Sequence, residues 1–116
     1  MNEQVQAELK KIFNSRFSTS ESTRGNYARG EDTYDPVLSQ AVVFPETNEE
    51  VSKFLKLCNE HKIPVVPFGT GTSLEGNVVG NENGITISLE KMNKVLSVNV
   101  EDFDCRVQAC VTKEQL

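Results

Sequence analysis

The sequence predicts an α+β chain that opens with a small parallel sheet flanked by helices and continues into antiparallel strands. Three observations lead there. A strand, a helix and a second strand follow one another through residues 41–67 with short joints, the order of a right-handed unit whose two strands run parallel. A run rich in Gly, Thr and Ser leaves the second strand. Further on, residues 94–100 and 104–109 read as two strands joined at Glu101-Asp102-Phe103, a hairpin pattern.

The first element is a helix over residues 3–14, because Val5, Leu9, Ile12 and Phe13 recur at helical spacing while Glu8, Lys10 and Lys11 fall on other faces. From 15 to 39 that rhythm stops and Ser, Thr, Gly, Asn, Asp and Pro dominate, which predicts an irregular, surface-running connection. Ala41-Val42-Val43-Phe44 is a continuous apolar run closed by Pro45, as expected of a buried strand. Thr47 and Glu50 then form a capping box, the hydroxyl accepting from the Glu50 amide and the carboxylate returning to the Thr47 amide. Val51, Phe54, Leu55 and Cys58 line one face of the helix that follows, which should end near His61-Lys62. Ile63-Pro64-Val65-Val66-Pro67 reads as a second buried strand, with Pro64 early enough for its missing amide to be tolerated. Residues 84–89 alternate as a third strand. Thr112-Lys113-Glu114-Gln115 has the form of a second capping box, a helix start with only Leu116 after it. The expectation is a fragment of a longer protein, with residues 1–40 a helix and connection and 41–116 one domain begun.

Composition narrows the function classes. At 116 residues the chain is one small domain at most, and no window approaches the length of apolar sequence that a membrane span needs. Net charge is −5 and the few aromatics do not sit among Lys and Arg, which argues against nucleic acid as a partner. Cys58, Cys105 and Cys110 form no paired motif and His61 is the sole histidine, so no metal site is expected and the thiols read as reduced and structural. The start, Met1-Asn2-Glu3-Gln4, lacks a positive segment followed by an apolar run, and reads as cytoplasmic.

The chemistry-bearing feature is Phe68-Gly69-Thr70-Gly71-Thr72-Ser73-Leu74-Glu75-Gly76-Asn77. Glycines at the carboxyl end of a parallel strand permit positive φ and close backbone approach, so several amides can converge on a phosphate oxygen while small hydroxyls add donors. At Gly71 a branched side chain would block positive φ and fill the space where a pyrophosphate approaches. A ligand-free glycine turn fits the composition equally well. Two common phosphate fingerprints fail: Leu74 stands where the dinucleotide pattern needs glycine, and Asn77-Val78 stand where a P-loop needs Lys and a hydroxyl residue.

In order and spacing, the segments 41–45, 49–51, 63–67 and 68–76 resemble the FAD-linked oxidases of the vanillyl-alcohol oxidase and p-cresol methylhydroxylase superfamily. The Gly-Thr-Gly-Thr-Ser-Leu-Glu-Gly form is most like the D-lactate dehydrogenase (cytochrome type) and glycolate oxidase flavoprotein branch, and the similarity runs from about Leu9 to Leu116. The resemblance implies a p-cresol methylhydroxylase-type FAD-binding fold: a parallel first lobe, the start of a second, mostly antiparallel lobe, and FAD between them. It implies that Pro67, Phe68, Gly69, Thr70, Gly71, Thr72 and Ser73, flanked by Gly76 and Asn77, hold the pyrophosphate, with Val111 and Thr112 approaching again. No histidine lies between Phe68 and Asn77, so FAD would be held non-covalently. Cys110 replaces the family's usual glycine, Asn77 a frequent histidine, and Arg29-Gly30-Glu31-Asp32 stands where relatives often carry His-Gly-x-Asp.

The implied activity of the intact protein is oxidation of a D-2-hydroxy acid to the 2-oxo acid by hydride transfer to flavin. Its partners would be the remainder of its own polypeptide, the substrate and an electron acceptor. The family's acid-base and metal-binding residues lie downstream, so no residue here is expected to be catalytic, and this chain alone should be inactive and bind little flavin. A membrane-peripheral or mitochondrial place stays open for the full-length protein. The alternative is a non-catalytic α/β interaction domain whose glycine run merely turns.

Overall fold

In the computed structural model residues 3–28, 37–71 and 79–115 are described. Helix α1 spans Glu3–Phe13 and buries Val5, Leu9 and Phe13, one face at intervals of four. Asn14, at φ 52°, ends it, donating its amide to the Lys10 carbonyl at 2.9 Å. The stretch expected to be irregular instead holds a short strand, β1 (Phe17–Ser18), and a short helix, α2 (Glu21–Asn26), capped by Ser20. These are set by tertiary partners rather than local pattern: β1 pairs antiparallel with Val42 and Val43, and the Arg24 guanidinium reaches the Ser39 carbonyl at 2.7 Å.

Strand β2 (Ala41–Val43) is wholly buried, and helix α3 (Asn48–Glu60) follows with Thr47 as its cap. The Glu50 amide donates to the Thr47 hydroxyl at 3.2 Å, as the capping box requires. The carboxylate, however, accepts from the Glu46 amide at 2.8 Å and from both terminal nitrogens of Arg16. The Arg16 guanidinium is the main reason the Glu50 carboxyl is pulled down to about 2, with the Glu46 and Thr47 amides assisting against the opposing effect of burial. At its other end α3 closes in a Schellman motif, with Lys62 at φ 53° where glycine is usual. The Ile63 amide reaches the Cys58 carbonyl at 2.8 Å and that of Lys62 the Asn59 carbonyl at 3.3 Å.

One expectation for α3 fails. Leu55 is 46% exposed, whereas Leu57 is buried beside Phe54 and Cys58. Helix α1 lies against α3, with Phe13 and Phe54 edge-on at 5.8 Å. That contact rotates the covered face toward Leu57, and periodicity alone cannot say on which side a partner helix sits.

Strands β3 (Val65–Phe68) and β4 (Ile85–Ser88) complete a four-stranded sheet in the order β1-β2-β4-β3. Both β2 and β3 run parallel to β4, with Ala41 and Val65 opposite Ile85. The parallel relation of the first two strands holds, but β4 lies between them. Position explains two departures from the expected burial. The segment expected to be a buried strand over 63–67 is instead an edge strand over Val65–Phe68 with Pro67 exposed, while β4, paired on both sides, is buried throughout instead of alternating.

Val5, Leu9, Phe13, Ala41, Val43, Phe54, Cys58, Ile85 and Ile87 form the core between the helices and one sheet face. Alternation puts Val42, Thr86, Ser88 and Phe68 on the other face. There the buried Ser39 and Thr86 hydroxyls meet at 2.7 Å. Strands β5 (Val95–Asn99) and β6 (Asp104–Val107) make the expected antiparallel hairpin, with a bulge between Val95 and Ser97. Leu96, Val98, Val100 and Phe103 on it are all more than half exposed. The last turn, Lys113–Gln115, is a 3-10 helix in which the Gln115 side chain accepts from the Thr112 amide at 2.9 Å, the returning half of a capping box.

Candidate functional site

The parallel strands β2, β4 and β3 end together, and the segments leaving them supply the site: Phe44 after β2, Glu90 after β4, and Phe68 to Gly71 at the end of β3. In open parallel sheets this edge is where ligands bind. The Leu89 amide donates to the Phe68 carbonyl at 2.9 Å, so the start of the glycine run is tied to the central strand.

Of the residues singled out from sequence, Pro67 is exposed, Phe68 buried, Gly69 and Gly71 half-buried and Thr70 exposed. Thr72, Ser73, Gly76 and Asn77 lie outside the described residues, as does Arg29-Gly30-Glu31-Asp32. Gly71 has φ +74°, the conformation the sequence argument required of it. The direction of its missing side chain differs from expectation. A β-carbon there would stand 2.5 Å from the tip of the Phe68 ring, so it would strike the protein's own aromatic before any ligand.

Val111 and Thr112 are half-buried, and their turn does come to the glycine run. A β-carbon on Gly69 would sit 4.0 Å from the Cys110 sulfur. Cys110 therefore packs against the run itself. Backbone amides of the turn are engaged internally, Cys110 with the Met92 carbonyl at 2.9 Å and Thr112 with the Gln115 side chain at 2.9 Å. Burial and the Glu90 charge both push the Cys110 thiol up, away from reactive thiolate character.

Three side chains of this edge carry no signal in the sequence. The Tyr27 phenol donates to the Glu90 carboxylate at 2.7 Å, and its ring stands edge-on to Phe44 at 5.6 Å and to Phe68 at 5.0 Å. Burial, reinforced by Glu90, pushes that phenol up to about 12, the Ser88 hydroxyl pulling more weakly the other way. The Tyr27–Ser88 contact nevertheless falls outside hydrogen-bond geometry. Ser88 Oγ is the fully buried side-chain oxygen without a hydrogen-bond partner among the described residues. No local signal marks these three, since Tyr27 sits in a run without periodicity and Ser88 reads as an ordinary strand position.

The edge fits a flavin nucleotide on the chain's own geometry. A glycine run with Gly71 at positive φ, tied to the carboxyl end of a central parallel strand, and an unpartnered buried hydroxyl beside it are suited to a phosphate-bearing ligand. A concavity of about 520 Å³ lies elsewhere, on the outer face of α3 along Asn48, Val51 and Leu55. It is an open groove along a single helix, with no glycine in its lining, and the site lies instead at the strand ends. Among the described residues no cluster of His, Cys, Asp and Glu could hold a metal.

Comparison with known proteins agrees with the geometry. The sequence model of a family described as FAD binding domain matches residues 39–116. A mitochondrial D-lactate dehydrogenase (cytochrome) of Arabidopsis thaliana is 36% identical over 104 residues, covering 88% of this chain and 18% of that protein. Glycolate oxidase subunit GlcD of Bacillus subtilis is 35% identical over 71 residues, 61% of this chain and 15% of that protein. The chain thus spans less than a quarter of the length of the curated relatives it matches. Among solved structures, alkyldihydroxyacetonephosphate synthase superposes with a TM-score of 0.88 over 99% of this chain and 24% of its own, at 20% identity. p-Cresol methylhydroxylase does so at 0.84 over 97% and 23%, at 22% identity. These likenesses establish the p-cresol methylhydroxylase-type fold.

Proposed function

Since the chain belongs to the FAD binding domain family, we propose that it is the opening part of the flavin-holding domain of a longer dehydrogenase oxidising a D-2-hydroxy acid, of D-lactate or glycolate type, to the 2-oxo acid. When bound, FAD supplies the redox chemistry by accepting the hydride. The part of this chain is to hold and orient it. The observation that carries the reading is the convergence of Gly69 to Gly71 and the Cys110 turn at the carboxyl end of β4.

In this reading Pro67, Phe68, Gly69, Thr70, Gly71, Thr72 and Ser73 wrap the pyrophosphate, flanked by Gly76 and Asn77. Val111 and Thr112 close from the hairpin side, through side chains and carbonyls because their turn's amides are engaged internally. Attachment is non-covalent, as the run contains no histidine. Residues 41–116 form the flavin-contacting part, with 1–40 a supporting helix and connection. The exposed apolar side chains of the hairpin, Leu96, Val98, Val100 and Phe103, would be covered by the remainder of the polypeptide, the start of the antiparallel lobe. No helix among the described residues is long and apolar enough to cross a membrane. A cytoplasmic or a mitochondrial home is compatible with this role, the A. thaliana relative being named as mitochondrial.

The test is the full-length protein purified and mixed anaerobically with D-lactate, glycolate or D-2-hydroxyglutarate. A flavin absorbance bleached by at least one of them supports the reading. A colourless protein that takes up no FAD overturns it and favours a non-catalytic interaction domain, whereas a flavin that none of these acids bleaches overturns the substrate class alone.

A further inference from the structure

The described ends of the glycine-rich segment, Phe68 to Gly71 on one side and Val79 to Asn81 on the other, are both held by the same short stretch, far away in sequence. On the entry side the Tyr27 ring stands edge-on to Phe68 at 5.0 Å. Phe68 in turn bounds Gly71, whose missing β-carbon would meet that ring at 2.5 Å. On the return side the Gly80 amide donates to the Ala28 carbonyl at 2.8 Å, and the Asn81 amide to the Ser39 hydroxyl at 3.0 Å. Gly80 lies so close to this stretch that a β-carbon on it would stand 2.0 Å from the Val37 carbonyl oxygen. Tyr27 is itself fixed from two further directions, by the Phe44 ring at 5.6 Å and by the Glu90 carboxylate at 2.7 Å.

We propose that Tyr27, with Ala28 behind it, is a positioning residue for the glycine-rich segment: its ring holds Phe68, and through Phe68 the conformation in which Gly71 presents its backbone to FAD. The inference rests on the flavin-binding reading above. Edge-to-face aromatic pairs reward a defined ring geometry beyond the area they bury, so the Phe44 pair fixes the Tyr27 ring and the Tyr27 pair in turn fixes the Phe68 rotamer rather than merely covering it. A preorganised loop spends less of its binding free energy on ordering when the ligand arrives. The phenol oxygen has the lesser part, because Glu90 is exposed and a hydrogen bond to it competes with water.

The test compares FAD affinity in four forms of the full-length protein, by flavin fluorescence quenching well below the melting temperature of each. They are the parent, Tyr27→Ala, Tyr27→Phe and Leu9→Ala. Leu9 is fully buried in the helical core on the opposite sheet face, and its loss lowers stability without touching the loop. Tyr27→Ala should weaken FAD binding by about tenfold, the size expected from losing two aromatic pairs. Tyr27→Phe, which keeps both rings, should stay within about threefold of the parent, as should Leu9→Ala despite its lower melting temperature. Equal affinity in Tyr27→Ala and the parent overturns the proposal, and so does an equal loss in Leu9→Ala, since general destabilisation would then be the cause. A parent protein that binds no FAD overturns the flavin reading and this inference together.

Discussion

Replacing Gly71 by alanine should destabilise the fold, whereas the same change at Gly25 should not. At Gly71 φ is +74° and a β-carbon would stand 2.5 and 2.7 Å from two ring carbons of Phe68. The left-handed backbone costs an L-residue roughly 1 to 2 kcal/mol. Phe68, which is only 7% exposed, must leave its rotamer, costing roughly 0.5 to 1.5 kcal/mol. Its displacement also weakens the edge-on contact with Tyr27, worth about 0.5 to 1.5 kcal/mol. Together these give about 2 to 5 kcal/mol, a large share of the roughly 5 to 15 kcal/mol that holds a domain of this kind folded. Gly25 lies inside α2 with nothing within 4 Å of its missing β-carbon, so alanine there should stabilise by about 0.5 to 1 kcal/mol. Equilibrium urea denaturation followed by circular dichroism measures both, provided the slope of stability against urea is unchanged. A Gly71→Ala protein as stable as its parent, or a Gly25→Ala protein less stable than Gly71→Ala, would refute the assigned geometry.

Three other expectations follow from the packing and charges. Phe54→Ala should cost about 3 to 5 kcal/mol, because the ring is fully buried against Phe13, while Leu55→Ala should cost well under 1 kcal/mol at its half-exposed site; similar denaturation midpoints for the two would contradict the burial described for α3. The Glu50 carboxyl titrates near 2 in the fold against 4.5 when free, a depressed value. Its contribution is therefore fully present above about 4.5 and lost as pH falls toward 2. Arg16→Ala should flatten the acid side of a stability-against-pH curve, and an unchanged curve would show that the pair is not formed. Toward a thiol reagent near neutral pH, exposed Cys105 should react first and half-buried Cys110 more slowly. Cys58, buried and pushed up to about 11 by that burial, should react only on unfolding; early labelling of Cys58 would mean that α3 opens readily.

Much of the fold can be read from local pattern because the signals are local. The Thr47 cap, the strand-helix-strand order and the hairpin each lie within a few residues of the contacts that make them. What the pattern does not carry is placement. That β4 lies between β2 and β3 depends on long-range pairing, and so does the choice of Leu57 over Leu55. Strand β1 and helix α2 go unread because two and six residues give periodicity too little length, and their stability comes from Val43, Ser39 and Arg24 contacts formed only in the fold. The candidate site divides the same way. The glycine run announces itself by composition, and its resemblance to FAD-linked oxidases supplies the ligand. Tyr27, Ser88 and Glu90 belong to it only through the convergence of three strand ends, which no local motif records.

If FAD sits on the glycine-rich segment and the Cys110 turn, backbone hydrogen exchange of the full-length protein with and without FAD will register it there. Peptides covering residues 67–80 and 108–112 should gain protection on binding, while those of α1 and the outer face of α3 should not change. Stoichiometric FAD binding that leaves 67–80 unprotected would contradict it, because the cofactor would then be held by some other part of the protein.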